Sequence, residues 1–172
     1  MKRIMAFALM AISIVGCATN APSGIQVVDE FDVNRYTGTW YEIYRLDHKF
    51  ERGLSDVKAT YTLKDDGTIR VENEGKREDG SRSYIEGRAQ FNGEPNEGSL
   101  KVSFFGPFFS GYHIIALDQE NYEYAMIAGQ DFGYLWILSR TPQLDGEIAD
   151  ALLAQASSIG YSLEELVEVP QG

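Results

Sequence analysis

From Trp40 to Arg140 the chain alternates apolar and polar residues with a period of two, in short runs broken by Gly, Asp, Asn and Pro. Val57, Ala59, Tyr61 and Leu63 alternate with Asp56, Lys58, Thr60 and Thr62, and Asp65-Asp66-Gly67 then marks a tight hairpin turn. Ile69, Val71, Asn73 and Gly75 alternate with Arg70, Glu72, Glu74 and Lys76, and Asp79-Gly80 turns the chain again. Ile85, Gly87, Ala89 and Phe91 oppose Tyr84, Glu86, Arg88 and Gln90, and a loop at Gly93–Asn96 leads to Leu100, Val102 and Phe104.

Beyond the loop SFFGPFFSG (Ser103 to Gly111), three segments are apolar on both faces: Tyr112–Leu117, Tyr122–Ala128 and Tyr134–Leu138. Such strands need cover on both sides. A helix starting at Asp145 supplies it, with Ile148, Ala149, Leu152, Leu153, Ala156 and Ile159 on one stripe and Glu147, Asp150 and Gln155 opposite. Gly160 suits its C-terminal cap, and Leu166–Val169 suits a last short strand. Eight hairpin-linked strands and one late helix predict an all-β fold: an eight-stranded antiparallel up-and-down β-barrel with a C-terminal α-helix packed outside. Closure leaves no sheet edge, and a barrel of this size holds one small ligand. A β-sandwich is the alternative.

The N-terminus follows a different rule. MKR is a basic start, and Ile4–Val15 is an apolar run too short for a permanent membrane helix. It ends in Gly16-Cys17, which resembles the bacterial lipobox, where a signal peptide is cut before a cysteine that receives lipid. Cys17 is the only cysteine of the chain. Expected boundaries are a signal peptide at 1–16, an acylated N-terminus and tether at 17–28, and one domain at 29–172. Several acyl chains anchor durably, whereas one is marginal. Ala18 stands where lipoproteins kept in the inner membrane often carry Asp, so the expected location is the outer membrane, through a lipid anchor.

At 172 residues, with 44% hydrophobic and 12% aromatic content, the chain has enough apolar mass for one folded domain. Twenty-six acidic side chains against 15 basic ones give a net charge of −11, which argues against nucleic-acid binding. His48 and His113 are the only histidines, no nucleophile elbow stands out, and the nitrogen and sulfur ligands of a metal centre are missing. No catalytic residue, metal or cofactor is therefore expected.

FDVNRYTGTWYEIYR (Phe31 to Arg45) resembles the first signature of the lipocalins, with Gly38 and Trp40 filling its Gly-x-Trp. The second signature is represented around Ala116-Leu117-Asp118, where Asp118 alone matches, and the third by Arg140 in LWILSRTP. FERGL, KVSFFGPF and YLWILSRTP are similar to the bacterial outer-membrane lipoprotein lipocalins, a resemblance that runs from about residue 25 to 169. It implies that Arg140 lies over Trp40 at the closed end of the barrel, both structural. It also implies long-chain fatty acids or lysophospholipids as ligands. Glu42 shares the face of Trp40 and is expected to be hydrogen-bonded near the closed end.

Parity fixed by Trp40 and Arg140 points one set of residues inward, including the small Ala59, Gly87, Ala89, Ala116 and Ala125. The candidate ligand-binding residues are Tyr61, Val71, Asn73, Ile85, Val102, Phe104, Tyr112, Ile114, Tyr134 and Trp136. Almost none of the inward set is charged, which suits an acyl chain in an elongated apolar cavity. Burying ~12 methylenes contributes roughly 10 kcal/mol gross, against an association cost of ~4–15 kcal/mol. A charged head belongs at the mouth, where His48, Lys49, Arg52 and Arg77 are the candidate partners, beside Lys76. Phe105, Phe108 and Phe109 would form an apolar lip there, serving lipid entry or a homodimer contact. The alternatives to a lipid carrier are an envelope protein–protein interaction module with a vestigial pocket and, more remotely, an enzyme on apolar substrates.

Overall fold

The computed structural model describes residues 19–172. A short helix α1 (Val33–Tyr36) precedes strands β1 (Gly38–Leu46), β2 (Ser55–Leu63), β3 (Ile69–Lys76), β4 (Arg82–Phe91), β5 (Ser99–Phe105), β6 (Phe108–Leu117), β7 (Tyr124–Ala128) and β8 (Leu135–Ser139). Helix α2 (Gly146–Ser158) and a last strand β9 (Leu166–Glu168) follow. Every pairing is antiparallel, the strands from β1 to β8 each pair with their neighbours in sequence, and β1 closes the sheet by bonding both β8 and β2. Eight strands therefore make a closed barrel, as the alternation predicts, and β9 adds to β1 from outside.

Hairpin geometry sets the two ends. The β2–β3, β4–β5 and β6–β7 turns lie at the end closed by α1, and the β1–β2, β3–β4, β5–β6 and β7–β8 loops ring the other, the mouth. Asp32 caps α1 by accepting from the Asn34 amide at 2.9 Å. This short turn drives Phe31 and Tyr36 into the base of the barrel. Asp145 caps α2, accepting from the amides of Glu147 and Ile148. The buried residues Ala149, Leu152 and Ala156 press its stripe onto the outside of β6, β7 and β8, against Ile115, Met126, Leu135 and Ile137.

Three details differ from the simple alternation. A bulge in β1 between Glu42 and Tyr44 flips the phase, so Tyr44 packs outside and Arg45 turns into the barrel opposite Trp136. A second bulge in β6 turns Ala116, expected inward, out beneath α2 beside Met126, and Leu117 takes its place opposite Ala125. Tyr122, expected in a strand, sits at φ 59° in the turn before β7, where its hydroxyl accepts from the Asp32 amide. Asp118 organises that turn by accepting from the amides of Asn121 and Glu123.

Cys17 and residues 1–16 lie outside the described residues. Thr19–Val28, expected as a tether, lies along the outer wall. Val28 donates to the Ile114 carbonyl and accepts from the Gly98 amide, and Asn92 Nδ2 donates to the Thr19 carbonyl at 2.8 Å.

Candidate functional site

The closed end is built as the signature residues require. Arg140 stacks over Trp40 with its guanidinium carbon 3.9 Å from the ring centre, and donates to the carbonyls of Tyr122, Thr39 and Arg35. Gly38, at φ 97°, leaves room for it, since a Cβ there would lie 3.3 Å from Arg140 Nη1.

Above this end the interior is tiled with phenols. Tyr36 packs at a tilt against Trp40 and Tyr61, and its hydroxyl meets that of Tyr112 at 2.7 Å, which meets that of Tyr61 at 2.9 Å. Burial pushes the ionisation of all three far above the ordinary tyrosine range, and their mutual repulsion adds to it for Tyr36 and Tyr112. These tyrosines form a floor. Tyr61, Val71 and Ile114, expected to line the ligand site, are buried at or below it. The space is thus shorter than the elongated channel expected, because α1 delivers Tyr36 from below.

Inward residues above the floor are only half-buried: Ala59, Asn73, Ile85, Val102, Phe104 and Trp136. This gradient, sealed below and accessible above, is the geometry of a cup. Gly87 shapes its wall. A Cβ on Gly87 would lie 2.6 Å from Phe104 Cδ1 and 2.7 Å from the Ser103 carbonyl, so the missing side chain lets Phe104 lie flat across β4. Tyr134 stacks on Trp136 with ring centres 6.0 Å apart, at the entrance to β8.

The interior is not uncharged. Arg45, 2% exposed, donates to Glu42 at 2.8 Å and to the Leu54 carbonyl at 3.3 Å. Burial, reinforced by Glu51, holds the Glu42 carboxyl well above the usual carboxylate range despite Arg45. Glu51 accepts from Trp136 Nε1 at 2.9 Å and lies 2.9 Å from His48 Nε2. Burial raises its carboxyl, but His48, Trp136 and Arg45 together outweigh that and bring it below its ordinary value. Sequence reasoning places Glu42 inside yet misses Arg45 and Glu51. Glu42 and Arg45 are three apart, so on a regular strand they take opposite faces, and only the bulge brings them together.

The head-group candidates separate. His48 is buried, its ring packed against Tyr134 and Trp136. Arg52 pairs with Asp47 at 2.8 Å, and Arg77 is engaged with Ser81, Ser83 and the Arg82 carbonyl of its own hairpin. Both are committed to their own loops. Lys49 stands exposed over Phe50. In the expected lip, Phe105 and Phe108 are 66% and 68% exposed. Phe109 instead lies on the outer wall between Arg88 and Lys101, 5.3 and 5.5 Å from its ring centre, and leaves the rim.

His113 bonds Ser99 Oγ through Nδ1 at 3.1 Å on the outer wall, a pair that superficially suggests a base and a nucleophile. It is covered by Thr19 and Asn20 backbone rather than backed by a carboxylate, and burial lowers its proton affinity. Among the described residues, no group of three or more His, Cys, Asp or Glu is placed to hold a metal ion.

The relatives agree with this architecture. Residues 31–171 match the model of the lipocalin-like domain. The chain is 48% identical over 170 residues to the outer membrane lipoprotein Blc of Escherichia coli (strain K12), covering 98% of this chain and 96% of that protein. It is 43% identical over 164 residues to the protein of that name in Vibrio cholerae, covering 95% of each. Insecticyanin from the tobacco hornworm Manduca sexta superposes with a TM-score of 0.67 at 22% identity, covering 86% of this chain and 85% of that one. The lipid-anchored outer-membrane location expected from the N-terminus is that of the bacterial relatives. Arg140 on Trp40, the closed eight-stranded barrel and the domain match together establish that the chain belongs to the lipocalin family.

Proposed function

We propose that the protein binds single-chain lipids, long-chain fatty acids or lysophospholipids, in the upper half of its barrel, storing or carrying them at the outer membrane for envelope maintenance. In this reading residues 1–16 are removed as a signal peptide and Cys17 carries the acyl anchor. The observation that carries it is the half-buried inner wall of Asn73, Ile85, Val102, Phe104 and Trp136 above a sealed tyrosine floor. Apolar walls with few polar groups suit an acyl chain. The floor limits how much of the chain enters, so the remainder and the head stay near the mouth, by Lys49 and the rim. Family membership supports a small hydrophobic ligand, and no catalytic step is assigned.

Trp136 borders the cup and Trp40 lies sealed below it, so tryptophan emission reports ligand through one residue. Protein purified from its host should release acyl lipid into organic solvent, identifiable by mass spectrometry. Titrating fatty acid into stripped protein should quench emission saturably, and Trp136→Phe should abolish the change. Neither lipid nor quenching would turn the reading toward an envelope interaction module with a vestigial pocket.

A further inference from the structure

Acidic residues are spread along the chain, yet none lies between Glu97 and Asp118. That acid-free stretch is β5, β6 and the turn joining them, and it carries the most exposed apolar tip of the described residues, Phe105 and Phe108. Its outer face adds Lys101 and Phe109, with Arg88 of β4 alongside. In a protein of net charge −11, a pair of strands without carboxylates meets lipid phosphates with little repulsion.

The start of the described chain lies on that same wall. The Thr19 carbonyl lies 3.1 Å from where a Gly111 Cβ would sit, and Gly111 pairs with Lys101. Gly111 is three residues, about 10 Å of strand, from Phe108. Cys17 precedes Thr19 by two residues, a reach of at most about 7 Å.

We propose that the β5–β6 hairpin is a second membrane contact. Phe105 and Phe108 insert into the bilayer interface beside the lipid anchor, Lys101 and Arg88 face the phosphates, and the mouth opens against the membrane. The exposed phenylalanines supply the apolar depth and the neighbouring cations the interfacial charge. The side of the anchor rests on acylation of Cys17; insertion of the hairpin is read independently.

The test uses the full chain, isolated from membranes and reconstituted in vesicles of phosphatidylethanolamine and phosphatidylglycerol with brominated or unbrominated acyl chains. In a Trp136→Phe background, which removes the reporter at the cup, Phe108→Trp and Phe105→Trp each place a reporter at the tip, and Thr62→Trp places one at an exposed position of β2 near the closed end. The expected result is a blue shift and loss of emission in brominated vesicles for the tip reporters, and no such loss at position 62. Equal quenching at position 62, or none at the tip, overturns the proposal. So does a blue shift that follows protein concentration and ignores bromination, which would mean that a second copy covers the tip. The mass of the N-terminal peptide reports acylation separately, so an unmodified Cys17 and an unquenched hairpin are distinct failures.

Discussion

At the scale of single residues, Arg45 and Gly87 make the sharpest cases. Removing one partner of a buried ion pair strands the other, at a cost of about 3–5 kcal/mol, whereas replacing both by apolar groups is often neutral. Burial already raises the proton affinity of Glu42, so the loss on Arg45→Met should fall at the lower end in mild acid. The penalty should grow as the pH rises, because a carboxyl whose folded pKa is raised loses stability with increasing pH. Urea midpoints in mild acid and mild alkali check the slope, and the double variant Glu42→Leu with Arg45→Met should recover most of the loss. Gly87→Ala is a one-methyl test of the cup wall. Phe104 and the Ser103 carbonyl must both give way, so a loss of about 1–3 kcal/mol in the unfolding free energy is expected.

At the scale of elements, the strap Thr19–Val28 depends on a neutral His113. Burial lowers its pKa, so the unfolded chain takes up a proton first as the pH falls below about 6.5. The sign follows: this stability is present at neutral pH and is lost on acidification. Protection factors of the Val28 and Ile25 amides, corrected for the intrinsic exchange rate at each pH, should fall in mild acid, and His113→Gln should flatten that dependence. The elements themselves were legible. Period-two runs, Asp-Gly turns and the α2 stripe gave the barrel, its strand order and its covered face. The phase flips were not. Ile43-Tyr44-Arg45 lies within β1 and Ile114-Ile115-Ala116 within β6, strands packed on both faces, so little in the polarity of the run marks where one residue is inserted. Arg45 inside and Ala116 outside were therefore invisible to parity, and the tyrosine floor was too, since Tyr36 arrives from a helix outside the strand pattern.

For the whole molecule, the barrel places its polar interior groups around the β1 side and its apolar tip on the β5–β6 side. His48, Glu51 and Trp136 tie the β1–β2 loop to β8, and Arg52 pairs with Asp47 within that loop. Glu51→Gln keeps the shape but weakens the contact with His48, and should speed both uptake and release of lipid in stopped-flow quenching of Trp136. Unaltered rates of uptake and release would mean that the loop does not gate the cup.

The hydroxyls of Tyr36, Tyr61 and Tyr112 sit in a sealed relay, and that has a spectroscopic consequence. Of ten tyrosines in the chain, these three should stay dark in alkaline titration while solvent-reached phenols turn to phenolate. Their absorbance should arrive late, in one step, when the base of the cup comes apart. A plain ultraviolet spectrum then becomes a clock for opening of the barrel from below.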